Sequence, residues 1–135
     1  MTILQYIYLY VLTLPVFFLI DMLWLGVIAR DFYRTQLGEL MGDIRWIPAL
    51  IFYALFVAAL IFFAVVPALE RGALTNALLL GALFGFVAYA TYNLTNLATL
   101  RDWPLLMALV DMAWGAVLGA LVAGASYLIA QNFLI

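Results

Sequence analysis

Four segments of the chain are each long and apolar enough to cross a lipid bilayer. They cover approximately residues 4–28, 46–66, 73–97 and 104–130. A transmembrane helix needs about 20 apolar residues, because it must span roughly 30 Å of hydrocarbon. Helices satisfy their own backbone groups in that environment. We therefore predict an all-α protein, an integral membrane four-helix bundle that forms a single transmembrane domain over residues 1–135.

The composition excludes several classes of protein. Apolar residues make up 70% of the chain and charged residues 9%, whereas a soluble domain is about 25% charged. A net charge of -2 without a basic cluster argues against nucleic acid as a partner. The chain has no Cys and no His, so we predict no metal site and no cofactor.

The arginines predict an orientation. Arg30, Arg34 and Arg45 lie between the first two segments, Arg101 lies between the last two, and only Arg71 lies at the opposite end. Because positively charged loops tend to stay in the cytoplasm, we expect a multi-pass protein with both termini in the periplasm.

The first loop carries a helical pattern of its own. Within residues 29–45, the apolar side chains of Tyr33, Leu37, Leu40 and Ile44 recur at helical spacing. This predicts a short amphipathic helix on the membrane surface between the first two spans. The alternative interpretation is a polar loop with incidental apolar residues.

Two carboxylates fall inside predicted spans. An ionised Asp in a span costs about 2.5 to 3.5 kcal/mol, so Asp21 and Asp111 require partners or a function. Both lie roughly 10 Å below the same predicted interface, from the rise of an α-helix. Each begins an Asp-x-x-Trp pattern, with Trp24 and Trp114 one turn along. Since the two helices are antiparallel, we expect the indoles to point to different depths.

The end of the third span adds polar side chains. Tyr89, Asn93 and Asn96 share one helical stripe, which we expect to face the two carboxylates. The resulting network, reached by Arg101 or Arg30, would lower the cost of burying the acids. The alternative is that these groups only hold the helices together.

These patterns define a candidate ligand-binding site. They identify no catalytic residue. The candidate ligand-binding residues are Asp21, Trp24, Tyr89, Tyr92, Asn93, Asn96, Arg101, Asp111 and Trp114.

Four glycines predict close helix packing. Gly81 and Gly85 in the third span, and Gly115 and Gly119 in the fourth, form small-xxx-small faces of the kind that bring membrane helices together.

Three motifs resemble those of a known family. The chain is similar to a bacterial family of small predicted membrane proteins known as a domain of unknown function, and the resemblance spans nearly the whole chain. It rests on Asp21-x-x-Trp24-Leu25-Gly26, Tyr92-Asn93-Leu94-Thr95-Asn96-Leu97-Ala98-Thr99 and Asp111-x-x-Trp114-Gly115. The resemblance implies four helices in a bacterial inner membrane and transfers no catalytic residue. In the family, the position of Asn93 is commonly Asp, and neighbouring genes often encode enzymes that modify fatty acyl chains, which hints at lipid chemistry.

Several functions fit these observations. The leading hypothesis is an accessory protein that binds a lipid or another hydrophobic small molecule. The alternatives are a membrane enzyme that acts on lipids with an intramembrane Asp as acid or base, a small proton-coupled transporter, and a structural subunit of a larger complex. The partners we expect are the lipid bilayer and, under the leading hypothesis, one bound lipid or hydrophobic small molecule, with a homo-oligomer or docking to a larger membrane complex as further options. Whether the protein is an enzyme stays open.

Overall fold

A computed structural model describes all residues 1–135, and it is helical almost throughout. Four helices are long and apolar enough to cross a membrane: α1 Ile3–Ile28, α3 Trp46–Arg71, α4 Leu74–Thr99 and α5 Leu105–Leu134. A short helix, α2 Arg30–Leu37, connects α1 to α3. The predicted all-α membrane bundle is confirmed, and the helices extend past some predicted span ends because a helix can project beyond the hydrocarbon.

The bundle has two connections between spans at one end and one at the other. The α1–α3 connection and the α4–α5 loop lie at one end, which we call the Arg-rich end because it carries Arg30, Arg34, Arg45 and Arg101. At the opposite end, Gly72 adopts a left-handed conformation (φ 68°) and ends α3. That tight turn makes α3 and α4 antiparallel neighbours.

Glycines set the separation of α4 and α5, the most extensively packed pair of helices. A Cβ atom added at Gly81 would collide with the backbone of Gly119, and one added at Gly85 would collide with the backbone of Gly115. The two small-residue faces predicted from the sequence therefore meet each other, and each lets the other helix approach at backbone distance.

Helix α1 joins α3 and α5 through polar as well as apolar contacts. The hydroxyl groups of Thr13 and Ser126 lie 2.9 Å apart in the buried centre, and Tyr10 donates a 3.0 Å hydrogen bond to the carbonyl oxygen of Ala54. Around them, Leu9, Phe17 and other apolar side chains fill one continuous core. The half of the bundle away from the Arg-rich end is thus tightly packed.

Helix α2 covers the Arg-rich end of the bundle. Tyr33 turns inward and packs with Ala29 and Met107, whereas Leu40 and Ile44 are exposed. The helix ends at Gly38, which has a φ of 54°. The predicted amphipathic stripe thus continues only to Leu37, and its apolar side faces the bundle rather than only the membrane surface.

Replacing Gly85 by Ala is expected to destabilise the bundle by about 1 to 3 kcal/mol, because overpacking forces α4 and α5 apart. Thermal unfolding of the purified protein in detergent measures the effect. Gly26→Ala is the matched control, since a Cβ atom there meets nothing within 4 Å. Equal melting temperatures for the two variants would contradict the role assigned to the glycine seam.

Candidate functional site

Every helix contributes a side chain to a polar cluster near the Arg-rich end. Asp21 lies seven residues before the end of α1 and Tyr53 seven residues after the start of α3. Seven residues of helix rise about 10 Å, so these groups share a depth below the interface. Asp111 in α5 lies at a similar distance from its own helix start. Tyr53 therefore lies at about the same depth as the two acids.

Asp111 accepts one hydrogen bond at each carboxylate oxygen. Tyr33 donates to Oδ1 at 2.7 Å, and the Asn93 side-chain amide donates to Oδ2 at 2.6 Å. The same amide nitrogen also donates to the carbonyl oxygen of Tyr89 at 2.9 Å, which fixes its direction. A residue from α2 and a residue from α4 thus hold the single carboxylate of α5.

Asp21 is held in the same way by two other helices. Tyr53 donates to its Oδ2 at 2.7 Å, and the indole nitrogen of Trp114 donates to its Oδ1 at 3.2 Å. The carboxylate is only 2% exposed, so it has little water to replace these donors. All four carboxylate oxygens of the cluster therefore accept a hydrogen bond from a neutral group.

The two indoles stack between the carboxylates. The rings of Trp24 and Trp114 lie 4.4 Å apart and are inclined by 7°. The expectation that they point to different depths is wrong. Helical side chains lean toward the N-terminus of their helix, so Trp24 leans away from the Arg-rich end and Trp114 leans toward it, which brings the two indoles together. The tryptophans of the two Asp-x-x-Trp motifs therefore contact each other.

Tyr33 links this stack to Asp111. The indole nitrogen of Trp24 donates to the Tyr33 hydroxyl at 3.0 Å, and that hydroxyl donates onward to Asp111. Tyr33 lies in α2, outside the membrane-spanning helices. Burial, together with the hydrogen bond and charge of Asp111, raises the pKa of Tyr33 above its ordinary value, so its phenol keeps the proton it donates.

A cleft of about 1290 Å³ opens beside the cluster. Asp21 and Asp111 line its buried part, and the exposed residues Arg30 and Arg34 line its outer part. Its other walls come from all five helices and from the segment that follows α2. Fourteen of its 22 lining residues are hydrophobic, so most of its surface suits an apolar molecule.

The nine candidate residues fall into three groups. Asp21, Trp24, Asn93, Asp111 and Trp114 are joined by hydrogen bonds and by the indole stack. The second group lines the cleft without a side-chain bond to either acid, and it contains Tyr89 and Tyr92.

The third group lies outside the cluster. Asn96 is half-buried one turn beyond Asn93, and Arg101 is exposed in the α4–α5 loop. Neither side chain lines the cleft or bonds to an acid. Asn96 follows Asn93 by three residues, and an α-helix completes a turn only every 3.6 residues. The two side chains therefore point in different directions. Of the two arginines considered for the network, only Arg30 reaches the cleft.

Sequence reasoning missed Tyr33 and Tyr53 as members of the site. Tyr33 was assigned to the apolar stripe of α2, and Tyr53 lies within an apolar span whose tyrosine gave no signal by itself. The available signal for Tyr53 was its depth, which matches that of the acids. The available signal for Tyr33 was the need of a buried carboxylate for a donor.

Two buried polar atoms have no hydrogen-bond partner, namely Asn93 Oδ1 and Trp103 Nε1. The first belongs to the amide that donates to Asp111. No three His, Cys, Asp or Glu side chains come together anywhere in the chain. The cluster therefore offers two carboxylates and an amide oxygen as acceptors, in aromatic surroundings.

Comparison with known proteins places the chain among its relatives. Residues 6–128 match the model of the family described as Predicted membrane protein (DUF2177). The chain belongs to this family. The match extends from α1 into the last helix, so all the residues of the cluster lie inside the family region. No curated protein and no solved structure matches the chain.

The resemblance noted in the sequence is thus confirmed, and the chain is a membrane protein with four transmembrane helices. DUF2177 membership carries no described activity. The geometry of the cluster is therefore the guide to its function.

Replacing Tyr53 by Phe is expected to cost about 1 to 3 kcal/mol of stability, because it leaves one oxygen of the buried Asp21 carboxylate without a donor. The measurement is thermal unfolding in detergent. Tyr8→Phe serves as the control, since Tyr8 is 50% exposed on the same bundle and its hydroxyl forms no hydrogen bond. If both variants melted alike, Tyr53 would have no part in holding Asp21.

Proposed function

We propose that this DUF2177 protein binds a lipid or another hydrophobic small molecule in the cleft at its Arg-rich end. The observation that carries the proposal is the cleft itself. Small-molecule sites occupy roughly 300 to 1,000 Å³, and the cleft of about 1290 Å³ is large enough for the head and upper chains of an amphiphile.

The distribution of polar groups supports this proposal. An apolar wall with a few convergent polar groups is the general form of a ligand site, and here the convergent groups are Asp21, Asp111 and Tyr33. The opposite half of the bundle offers nothing comparable, because Phe17, Leu118 and their neighbours fill it. The site therefore lies where the bundle is open.

A lipid-modifying enzyme with Asp21 or Asp111 as acid or base is the less favoured alternative. A general acid or base must exchange a proton with the reacting molecule. Each oxygen of both carboxylates is already engaged by a donor, namely Tyr33, Asn93, Tyr53 or Trp114. Their hydrogen bonds support fixed acceptors more than proton carriers.

We also propose a membrane and an orientation for the protein. We place the protein in the bacterial inner membrane because its family resemblance implies that location. The arginine distribution supports an orientation with the Arg-rich end in the cytoplasm and the termini in the periplasm. The cleft then opens toward the cytoplasmic headgroup layer, where amphiphiles are abundant.

Native mass spectrometry of the gently extracted protein tests the proposal. The wild-type protein is expected to carry a bound lipid or small molecule. Filling the cleft with Ala88→Trp or Ala49→Trp, from two different walls, is expected to reduce the retained molecule by about tenfold, because overpacking costs about 1 to 3 kcal/mol.

Ala98→Trp is the matched control, since Ala98 is exposed on the same helix as Ala88 and does not line the cleft. Melting temperatures separate loss of ligand from loss of fold. A bare wild-type protein, or equal retention in the cleft-filled and control variants, would contradict the proposal. A stoichiometric protein partner in place of a small molecule would instead favour a docking subunit.

A further inference from the structure

The polar cluster contains two carboxyl groups without any positive partner inside the protein. Asp21 and Asp111 are 2% and 8% exposed, and no arginine forms an ion pair with either of them. Buried charges in membrane segments normally pair with an opposite charge or line a functional cavity. Here the four hydrogen-bond donors are neutral, so they orient the carboxylates without balancing their charge.

The direction of the hydrogen bonds indicates that the acids act as acceptors. An indole N–H can only donate, so Trp24 must donate to Tyr33. The single proton of Tyr33 is then free to go only to Asp111. Trp114 likewise can only donate to Asp21. This arrangement suits two carboxylate anions.

The amide of Asn93 adds to the same imbalance. Its nitrogen donates to Asp111, while its Oδ1 is buried without a donor. A buried acceptor without a partner is unfavourable. Asn93 does not line the cleft, however, so a ligand there meets Asp21 and Asp111 rather than this amide oxygen. A ligand that suits these two acids carries a positive charge and N–H groups.

Aromatic rings line the cleft beside the acids. Phe52, Tyr53 and Tyr89 contribute neighbouring walls, with Phe52 and Tyr89 rings 6.3 Å apart. Faces of such rings attract ammonium groups, most strongly where water is excluded. Carboxylates together with aromatic rings form the kind of surface that recognises an organic ammonium.

The outer part of the cleft has the opposite charge. Arg30 and Arg34 are exposed and line it together with one exposed acid, Asp43. Arginine binds phosphate oxygens well because its planar donors match their geometry. The outer part of the cleft therefore has a net positive charge, whereas its buried part carries two acids.

We propose that the molecule bound in the cleft is a zwitterionic phospholipid of the ethanolamine type, with its ammonium group at Asp21 and Asp111 and its phosphate at Arg30 and Arg34. This inference rests on the proposed function and names the chemical class of its ligand. The ammonium balances the two acids, and its N–H groups supply donors to a site rich in acceptors.

Competition between lipids in nanodiscs tests the inference. The probes are phosphatidylethanolamine, phosphatidylglycerol and N-acetyl-phosphatidylethanolamine with identical acyl chains, and native mass spectrometry counts the lipids retained by the protein. All three carry the phosphate, and only the first carries the ammonium. We expect at least about tenfold preference for phosphatidylethanolamine over each of the others, as one desolvated ammonium contact would give.

Variants assign the preference to the acids. Asp21→Asn and Asp111→Asn are expected to reduce it to about twofold or less, whereas Asp102→Asn, an exposed acid in the α4–α5 loop outside the cleft, keeps it. If either cluster variant fails to fold, the comparison of the free and acetylated amines on the wild-type protein still decides.

The outcomes separate the two proposals. Retention of all three lipids without preference, or a preference that survives both cluster variants, overturns the ammonium inference and leaves a cleft that binds lipid. Retention of no lipid by the wild-type protein overturns the lipid-binding function together with the inference.

Discussion

The hydrogen bonds to Asp21 and Asp111 determine how the Arg-rich end of the protein is assembled. A carboxylate inside a membrane must find donors within the protein, because hydrocarbon supplies none. Each helix other than the one bearing a given acid is a possible source. The donors, including the one relayed through Tyr33, are Trp24 in α1, Tyr33 in α2, Tyr53 in α3, Asn93 in α4 and Trp114 in α5. Two acids thereby bring all five helices into register.

The glycine seam makes this arrangement possible. Because Gly85 and Gly115 let α4 and α5 approach at backbone distance, Tyr89 packs directly on Gly115 and Asn93 reaches Asp111. Farther from the Arg-rich end, the same seam continues through Gly81. One half of the bundle is therefore fixed by close packing, and this rigid half positions polar groups around a cleft in the other half.

The sequence was sufficient for the helices and for part of the site, because hydropathy and depth are properties of single segments. It placed Asp21, Asn93 and Asp111 near one interface from helix rise alone. It did not reveal Tyr53. The depth of this residue matches that of the acids, but nothing within its apolar span identifies its hydroxyl as their hydrogen-bond donor. It also misplaced the indoles, since the stacking of Trp24 on Trp114 depends on how the side chains of two antiparallel helices lean toward each other. Contacts of that kind arise from packing between segments, which no single segment encodes.

The hydrogen bonds of the cluster also hold the helices together. Neutral groups are sufficient for that purpose, as the contact between Thr13 and Ser126 in the centre of the bundle shows. Asp21 and Asp111 cost more to bury than such groups, and they line a cleft that the bundle does not fill. An acceptor left over on Asn93 adds to that cost. A purely structural role leaves the two unpaired acids beside an open cleft unexplained, whereas the proposed cationic head would balance them.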